Sequence, residues 1–334
     1  MGCGSSSAAG PKASIRVLLL GGGGCGKTTF VKQMKLNYRG GFSINETNEV
    51  KQKLRSNILQ RLVKSLNDIE SVSEESQQAV ELLRKAASQE YEFMSENGEH
   101  YEQLAKAVVL ACDLKEIQEY KAENYFLSPW DFDLFDSAQR IFAKGYEPSH
   151  TDILMCRSPT TGLHEYSFSV DSLDLIFIDV GGQRKERATW AKAMENIGAV
   201  IYVASLAEYG QHLEEDNVKD RMVESLELFQ RVFHSPKLAA IPTVLLLNKF
   251  DLLEQKLQMT PLTSVFADYD GPNEVEPAYE FISKKFIERM MLKPSTKDFV
   301  CQRVSAIDQG NFMKVFQVIK AMLISSSLRE SGLG

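Results

Sequence analysis

Short apolar runs rich in β-branched residues recur along the chain, and stretches with a helical pattern separate most of them. Runs of this length and composition are typical of strands buried in a sheet, whereas apolar positions three or four residues apart are typical of helices. The pattern predicts strands at Ile15–Leu20, Tyr166–Val170, Leu173–Ile178, Ala199–Ala204, Thr243–Leu247 and Phe299–Val304.

The order of these elements predicts an α/β fold. The stretch "SVDSLDL" at 169–175 leaves room for only a tight turn between the second and third strands, which predicts an antiparallel hairpin. Helical patterns lie between most of the other strands. We therefore expect a six-stranded, mostly parallel, doubly wound sheet.

No strand signal occurs between Phe42 and His150. Apolar residues at four-residue spacing instead predict a long amphipathic helix. Its stripe consists of Val50, Leu54, Ile58, Leu62 and Leu66, widened by Leu59 and Val63, and further helical patterns occur near Gln77–Met94, Glu102–Tyr120 and Asp131–Lys144.

An all-helical block of about a hundred residues is too long to be a crossover connection. We therefore expect an inserted helical domain at 42–150. The sheet domain is expected to comprise 14–41 and 151–334, and residues 1–13 are expected to form a flexible N-terminus.

Charge and cysteine content exclude several classes of protein. The 334 residues carry a net charge of −7, which argues against a broad surface for nucleic acid or anionic membrane. No apolar run approaches the roughly 18 residues of a membrane span. The cysteines are odd in number and contain no CxxC pair, which fits a reducing compartment without disulfides or a zinc site.

The N-terminal "MGCGSS" matches the myristoylation pattern, with Gly2 exposed after removal of the first methionine and Ser6 at the required position. Cys3 stands beside Gly2, where its thiol could receive palmitate. One acyl chain binds a bilayer only marginally, whereas two anchor a protein stably. The alternative interpretation is a disordered tail of small residues.

The stretch "GGGGCGKTTF" lies between the first predicted strand and a helix. Gly21, Gly26, Lys27 and Thr28 match the P-loop pattern G-x-x-x-x-G-K-[ST] in the context that the pattern requires. Glycines allow backbone N–H groups to surround a phosphate, Lys27 can reach the terminal phosphates, and the Thr28 hydroxyl can ligate Mg²⁺. Adenine and guanine nucleotides both remain open at this point.

The stretch "LLLNKFD" favours guanine. It places Asn248, Lys249 and Asp251 at the end of a buried strand, where α/β sheets carry ligands. The Asp251 carboxylate can accept hydrogen bonds from N1–H and the exocyclic amine of guanine, whereas adenine presents an acceptor at N1. The Lys249 stem can cover the base, and the Ala306 N–H in "SAI" can donate to guanine O6.

The stretch "LIFIDVGGQ" predicts a sensor for the γ-phosphate. Asp179 ends a predicted strand, where it can bind Mg²⁺ through water. The Gly182 N–H can donate to the γ-phosphate. Gln183 follows directly, where it can orient an attacking water molecule.

Six stretches together resemble the α subunit of heterotrimeric G proteins. They are "GGGGCGKTT", "RSPTTG", "DVGGQRKERATW", "NKFD", "SAI" and the tail "LRESGLG". The likeness runs from about Ser14 to the C-terminus, and the helical insertion lies where this family carries its helical domain. The resemblance implies a Ras-like P-loop GTPase that transduces signals from membrane receptors to effectors.

The resemblance also implies roles for individual residues. Arg157 corresponds to the catalytic arginine and Thr160 to a Mg²⁺ ligand. During hydrolysis Gln183 would orient water while Arg157 and Lys27 neutralise charge, and Mg²⁺ would bridge the β- and γ-oxygens of GTP. The remaining implied nucleotide contacts are Gly22, Gly23, Gly24, Cys25, Thr29 and Met155.

The resemblance further implies partners and a location. The C-terminal tail would bind a receptor or another exchange factor, and the switch segments would bind effectors and RGS-type accelerators. Acyl chains on Gly2 and Cys3 would hold the protein at the cytoplasmic face of the plasma membrane. Residues 1–14 are too few for the N-terminal helix that contacts a βγ dimer in this family, which argues against βγ binding.

Two other functions share part of this sequence pattern. A guanine-nucleotide-binding scaffold or regulatory subunit with negligible turnover would not need Arg157, Thr160 and Gln183, all of which are present. A P-loop ATPase or kinase is disfavoured by Asp251, because its carboxylate would repel the N1 acceptor of adenine. Single-turnover GTP hydrolysis distinguishes the switch from the scaffold.

Overall fold

The computed structural model describes residues 13–69, 73, 76–88, 96, 98, 100–124, 129–171, 173–213, 215–238, 240–291 and 298–330. The chain folds into two compact units. The sheet unit contains the chain before Phe42 and after Ser158, and the helical unit is Phe42–Ser158. Among the described residues, no helix is sufficiently long and apolar to cross a membrane.

The sheet unit is built on a six-stranded sheet with the strand order β2-β3-β1-β4-β7-β8. β2 and β3 pair antiparallel, and every other neighbouring pair is parallel, so the predicted fold class and hairpin are confirmed. The strands are β1 (Ala13–Leu20), β2 (Leu163–Val170), β3 (Leu173–Val180), β4 (Ala199–Ser205), β7 (Thr243–Asn248) and β8 (Phe299–Val304).

A small hairpin follows β4 and was not predicted. It consists of β5 (His212–Leu213) and β6 (Asp216–Asp220), which pair antiparallel. Its second strand, "DNVKD", contains one apolar residue and therefore lacks the apolar run that marks the strands of the main sheet. The hairpin leads directly into a helix that begins at Arg221.

Helices cover both faces of the sheet. One core layer includes Leu18 and Tyr202 with Phe229, and the other includes Val17 and Leu246 with Phe316. β4 and β7 are buried along their whole length, as expected for central strands of a doubly wound sheet. The helices are α1 (Lys27–Tyr38), α9 (Trp190–Ala193), α10 (Arg221–Phe233), α11 (Leu253–Met259), α12 (Val275–Met291) and α13 (Gln309–Glu330).

The helical unit has its own apolar core, centred on the long helix that the four-residue spacing predicted. This helix, α2 (Ile44–Asp68), begins with a capping box in which Ser43 and Glu46 satisfy each other's backbone N–H groups. The shorter helices are α3 (Gln77–Ser88), α4 (Tyr101–Cys112), α5 (Lys115–Asn124), α6 (Pro129–Asp136), α7 (Ala138–Ile141) and α8 (His150–Met155).

Three predicted helical stretches differ from the structure in length. The pattern over Glu102–Tyr120 forms two helices, because α4 ends at Cys112 and the Gln118 side chain donates to its free carbonyl at 2.6 Å. The pattern over Asp131–Lys144 likewise forms α6 and α7. α3 ends at Ser88, and the predicted continuation over 89–94 lies outside the described residues.

The second boundary between the units falls after Ser158, beyond the expected position at 150. Hydrogen bonds of α8 explain this difference. Asp152 accepts two hydrogen bonds from Arg140, at 2.7 and 2.8 Å, and the Cys156 thiol lies 4.0 Å from the Val50 carbonyl. These bonds attach α8 and the following turn to the helical unit.

Candidate nucleotide site

The glycine-rich loop connects β1 to α1, as predicted. Gly21 and Gly26 have φ values of 141° and 111°, in the region that L side chains rarely adopt. A Cβ on Gly21 would lie 2.1 Å from the Val203 carbonyl oxygen, and one on Gly26 would lie 2.1 Å from Asn248 Nδ2. Only glycine fits at these two positions, so the sequence dictates the loop's close approach to its neighbours.

Lys27 begins α1 and is 5% exposed. Its Nζ donates to the carbonyl oxygens of Gly21, at 3.0 Å, and Gly22, at 2.8 Å. The ammonium is therefore held inside the loop, next to the N-terminus of α1. A buried cation beside a helix N-terminus makes the loop suited to bind an anion such as phosphate.

Three oxygen-bearing side chains from separate elements meet beside Lys27. The Thr28 hydroxyl donates to Asp179 Oδ2 at 2.8 Å and lies 2.7 Å from the Thr160 hydroxyl. Because Thr28 has a single hydroxyl proton, Thr160 is the donor in the second bond. Asp179 is fully buried, and its Oδ1 has no hydrogen-bond partner within the described part of the chain.

This oxygen cluster fits a hard divalent cation. Mg²⁺ prefers carboxylate and hydroxyl oxygens and usually retains several waters. Burial raises the pKa of Asp179, while Lys27 and the Thr28 hydroxyl act in the opposite direction. A cation held beside Asp179 would favour the ionised carboxylate. Among the described residues, no cluster of three or more His, Cys, Asp or Glu side chains offers another metal site.

Gly182 and Gln183 lie against the P-loop. A Cβ on Gly182 would be 2.4 Å from both Lys27 Nζ and the Gly22 carbonyl oxygen. Gln183 Cγ lies 3.2 Å from the position of a Cβ on Gly23. The sequence places both residues directly after β3, and the structure brings them to the loop that carries Lys27.

Two hydrogen bonds that the sequence did not indicate join the segments around this site. Glu186 lies in a 3₁₀ helix (Arg184–Thr189), and its carboxylate accepts a hydrogen bond from the Gly162 N–H at 3.0 Å. The Trp190 indole N–H donates to the Gly181 carbonyl at 2.9 Å. The first bond connects the loop before β2 with the segment after β3, and the second holds Trp190 against the start of that segment.

A further interaction that sequence reasoning missed involves a buried acid. Glu224 on α10 is 4% exposed and accepts hydrogen bonds from Arg184 at 2.8 Å and Arg187 at 3.1 Å. Burial alone would raise the pKa of Glu224, but the two arginines outweigh burial and hold it below its ordinary value. Glu224 therefore anchors the segment after Gln183 to α10.

The residues predicted to read the base lie at the ends of β7 and β8. Asn248 Nδ2 donates to the Cys25 carbonyl at 2.8 Å, and its Oδ1 accepts from the Ala306 N–H at 3.0 Å. The Ala306 N–H that the sequence predicts to donate to guanine O6 is therefore bonded to Asn248 in this structure. Lys249 has a left-handed backbone with φ 60°. Asp251 lies in the turn that follows and is exposed as a residue, while partial burial raises the pKa of its carboxyl group against a hydrogen bond from Ser305.

Arg157 and Met155 belong to the helical unit. Met155 ends α8 and is half-buried, while Arg157 is exposed, and its carbonyl accepts a hydrogen bond from Asn57 Nδ2 at 3.0 Å. The other internal candidate residues belong to the sheet unit. Gly2 and Cys3 lie outside the described residues.

Comparison with known proteins identifies the class. The family model of the G-protein alpha subunit matches residues 5–323. The chain is 35% identical over 328 residues to the guanine nucleotide-binding protein G(o) subunit alpha of Planorbella trivolvis, covering 96% of this chain and 90% of that protein. It is 33% identical to the guanine nucleotide-binding protein alpha-17 subunit of Caenorhabditis elegans, covering 96% of this chain and 90% of that protein. It is 32% identical to the guanine nucleotide-binding protein alpha-4 subunit of Dictyostelium discoideum, covering 95% of this chain and 91% of that protein.

The sheet order and the inserted helical unit are those of a P-loop GTPase of the Ras-like class with a helical domain. The chain belongs to the family of G-protein alpha subunits. It is accordingly a GTP-binding signal transducer that hydrolyses GTP. Family membership therefore favours the switch over the alternative of a scaffold with negligible turnover.

Proposed function

We propose that the site around Lys27 binds the phosphates of GTP together with Mg²⁺. Thr28 and Thr160 would ligate the metal directly, and Asp179 would bind it through water. The convergence of these three side chains, with Asp179 Oδ1 buried and unpartnered within the described chain, is the observation that supports this assignment. Bound Mg²⁺ would supply positive charge to the β- and γ-phosphate oxygens.

The catalytic work of the chain would then be positioning and electrostatic stabilisation. Lys27 would neutralise charge on the terminal phosphates, and Gly182 would donate its N–H to the γ-phosphate. Gln183 would orient the attacking water, and Arg157 would stabilise the charge that spreads over the γ-oxygens in the transition state. The two switch segments would be the one that contains Thr160 and the one that contains Gly182 and Gln183. Loss of the γ-phosphate would release Thr160 and Gly182, so both segments would relax.

Guanine would be bound by the loops after β7 and β8. Asp251 would accept hydrogen bonds from N1–H and the exocyclic amine, and the Lys249 stem would cover the base. The position of Asp251 in the turn directly after β7, where part of the residue is exposed, supports this role. Remaining contacts would come from Gly22, Gly23, Gly24, Cys25, Gly26, Thr29, Met155, Asn248 and Ala306.

Single-turnover hydrolysis of radiolabelled GTP tests the catalytic assignment. Gln183→Leu should abolish most hydrolysis while GTP still binds, because the substitution removes only the group that orients water. Asp179→Asn should instead reduce the affinity for Mg²⁺, measured by the Mg²⁺ dependence of the same reaction. Wild-type turnover in Gln183→Leu, or an unchanged Mg²⁺ requirement in Asp179→Asn, would contradict the respective role.

We propose binding surfaces for two kinds of partner. The C-terminal tail would bind a receptor or exchange factor, and the segments containing Thr160 and Gln183 would bind effectors and RGS-type accelerators. The expectation that a βγ dimer binds poorly stays a prediction. Pull-down with each partner class, comparing GDP with a non-hydrolysable GTP analogue, would assign each interaction to a nucleotide state.

Lipid anchoring at the cytoplasmic face of the plasma membrane is proposed to depend on Gly2 and Cys3. Gly2→Ala should move the protein to the soluble fraction of its native cell, because two acyl chains are needed for stable anchoring. Ser5→Ala is a suitable control, since it leaves both acceptor residues in place. An unchanged membrane fraction in Gly2→Ala would locate the anchor elsewhere.

A further inference from the structure

Arg221 and Glu208 form an ion pair directly beneath the P-loop. Arg221 Nη2 lies 3.0 Å from Glu208 Oε1 and donates to the Gly23 carbonyl at 2.5 Å. The Arg221 and Glu208 side chains are only 15% and 4% exposed. A single guanidinium nitrogen therefore joins a buried carboxylate to the backbone of the phosphate-binding loop.

The position of Arg221 on its helix is electrostatically unfavourable. It is the first residue of α10, where the helix dipole favours acidic side chains over basic ones. Burying Glu208 is also costly, and a buried ion pair is by itself weak evidence of added stability. Because both placements are costly, the contact with Gly23 suggests a functional reason for the pair.

The surrounding backbone fixes Arg221 in place. Asp220 caps α10 by accepting from the Met222 and Val223 N–H groups, and its other oxygen accepts from the Gly210 N–H at 2.7 Å. The Arg221 N–H donates to the Gln211 carbonyl at 2.8 Å. The guanidinium is thus presented to the P-loop from a rigid base.

The peptide geometry determines what this contact does. The structure contains no cis peptide among the described residues, so the Gly23 carbonyl and the Gly24 N–H point in opposite directions. Arg221 bonds the carbonyl on one side, and this orients the Gly24 N–H towards the other. Backbone N–H groups of a P-loop bind phosphate on their inner side.

We propose that Arg221 and Glu208 are a positioning pair that fixes the Gly23–Gly24 peptide for phosphate binding and thereby slows nucleotide release. The inference rests on the proposed nucleotide site and adds a regulator to it. Glycine at position 24 allows this close approach. Its φ of 74° is one that L side chains rarely adopt, and a Cβ at this position would lie 3.3 Å from Arg221 Nη2, so a side chain there would require Arg221 to shift. Both residues would act through the Gly23–Gly24 peptide, so they are positioning residues rather than catalytic ones.

Release of a fluorescent GDP analogue into excess GTP measures this effect. Arg221→Gln should release the analogue roughly ten- to a hundredfold faster, the size expected for losing a charge-assisted hydrogen bond to the loop. Arg231→Gln removes the same charge from an exposed position on α10 and should release at the wild-type rate. Equal release by Arg221→Gln and wild type would overturn the proposal.

A second comparison separates positioning from general destabilisation. Arg221→Gln leaves Glu208 buried without its cation, so it should also lower the melting temperature. The double variant Arg221→Gln/Glu208→Gln removes that buried charge and should recover melting temperature while release stays fast. Recovery of a slow release rate together with stability would mean that the pair is merely structural.

A third measurement asks whether the loss of affinity depends on the phosphates of the ligand. Competition binding should show that Arg221→Gln weakens GDP while guanosine, which lacks phosphates, binds as it does to wild type. Equal losses for both ligands would overturn the role at the P-loop. Failure of the wild type to retain GDP would refute the proposed nucleotide site itself, an outcome distinct from wild-type-like release by Arg221→Gln.

Discussion

Asn248 and Ala306 are hydrogen-bonded to each other, with Asn248 Oδ1 accepting from the Ala306 N–H at 3.0 Å. The same side chain donates from Nδ2 to the Cys25 carbonyl at 2.8 Å. One buried amide therefore joins the ends of β7 and β8 to the P-loop. Nδ2 donates a hydrogen bond and Oδ1 accepts one. A carboxylate has no donor, so replacing the amide with a carboxylate would remove the hydrogen bond to the Cys25 carbonyl.

Asn248→Asp should destabilise the protein by about 1–3 kcal/mol, because a carboxylate oxygen would face the buried Cys25 carbonyl without a proton between them. Denaturant unfolding of the nucleotide-free protein measures the change. Asn311→Asp is a matched control, since the Asn311 Oδ1 acceptor that bonds the Ser305 N–H at 2.9 Å is retained in aspartate. Equal destabilisation by both substitutions would contradict the role given to the Nδ2 donor.

Asp251→Asn should change base preference. An amide donor would suit the C2 carbonyl of xanthine and would face the amine of guanine unfavourably, so GDP affinity should fall by about two orders of magnitude or more. Competition of GDP and XDP for the site measures the preference. Asp308→Asn removes a neighbouring exposed negative charge and should leave the preference unchanged. An unaltered preference in Asp251→Asn would show that another group reads the base.

Asp152 should make the helical unit sensitive to acid. Burial raises its pKa, but hydrogen bonds from Arg140 and Ser149 outweigh burial and hold the pKa well below the ordinary value of 3.8. Its stabilising contribution is therefore present above about pH 3.8, the value in the unfolded chain, and is lost as the pH falls towards the folded-state pKa.

Asp152→Asn should accordingly cost about 1–3 kcal/mol of unfolding free energy at pH 7. The difference from wild type should shrink as the pH falls below 3.8, which denaturant unfolding at about pH 7, 4 and 3 would measure. Asp113→Asn, an exposed aspartate after α4, serves as the control. A pH-independent difference for Asp152→Asn would mean that its charge does not contribute.

The sequence predicted the central strands of the sheet well because they are buried and therefore largely apolar. β4 and β7 are buried at every position, and an apolar run forms the middle of each strand. The β5–β6 hairpin was missed because its second strand is polar. The break after Cys112 was missed because the Gln118 side chain that satisfies the Cys112 carbonyl gives no periodic signal.

The candidate site was predictable where residues lie within one short motif. Lys27, Thr28 and Asp179 belong to such motifs, and the structure brings them together. The contact of Arg221 with Gly23 joins residues 198 positions apart, and no local pattern indicates such a pair. Contacts of this kind follow from the folded arrangement of β4, α10 and the P-loop and could be found only there.

Gly182→Ala should uncouple nucleotide binding from the change in the switch segments. A methyl group on Gly182 would lie 2.4 Å from Lys27 Nζ and from the Gly22 carbonyl oxygen, so the segment after β3 would be forced away from the P-loop. The Gly182 N–H would then lie too far from a γ-phosphate to stabilise its charge. Hydrolysis of GTP should fall at least about a hundredfold, the usual cost of losing a preorganised donor.

Tryptophan fluorescence provides the matching structural readout, because the Trp190 indole donates to the Gly181 carbonyl beside the substituted residue. In a Trp130→Phe background, Trp190 is the single tryptophan of the chain. A non-hydrolysable GTP analogue with Mg²⁺ should change its emission in the parent protein and leave it unchanged in Gly182→Ala. Gly310→Ala, whose Cβ would meet only Asp308 Oδ1 at 3.4 Å, should respond like the parent. A full fluorescence response in Gly182→Ala would show that the close approach to Lys27 is not required for switching.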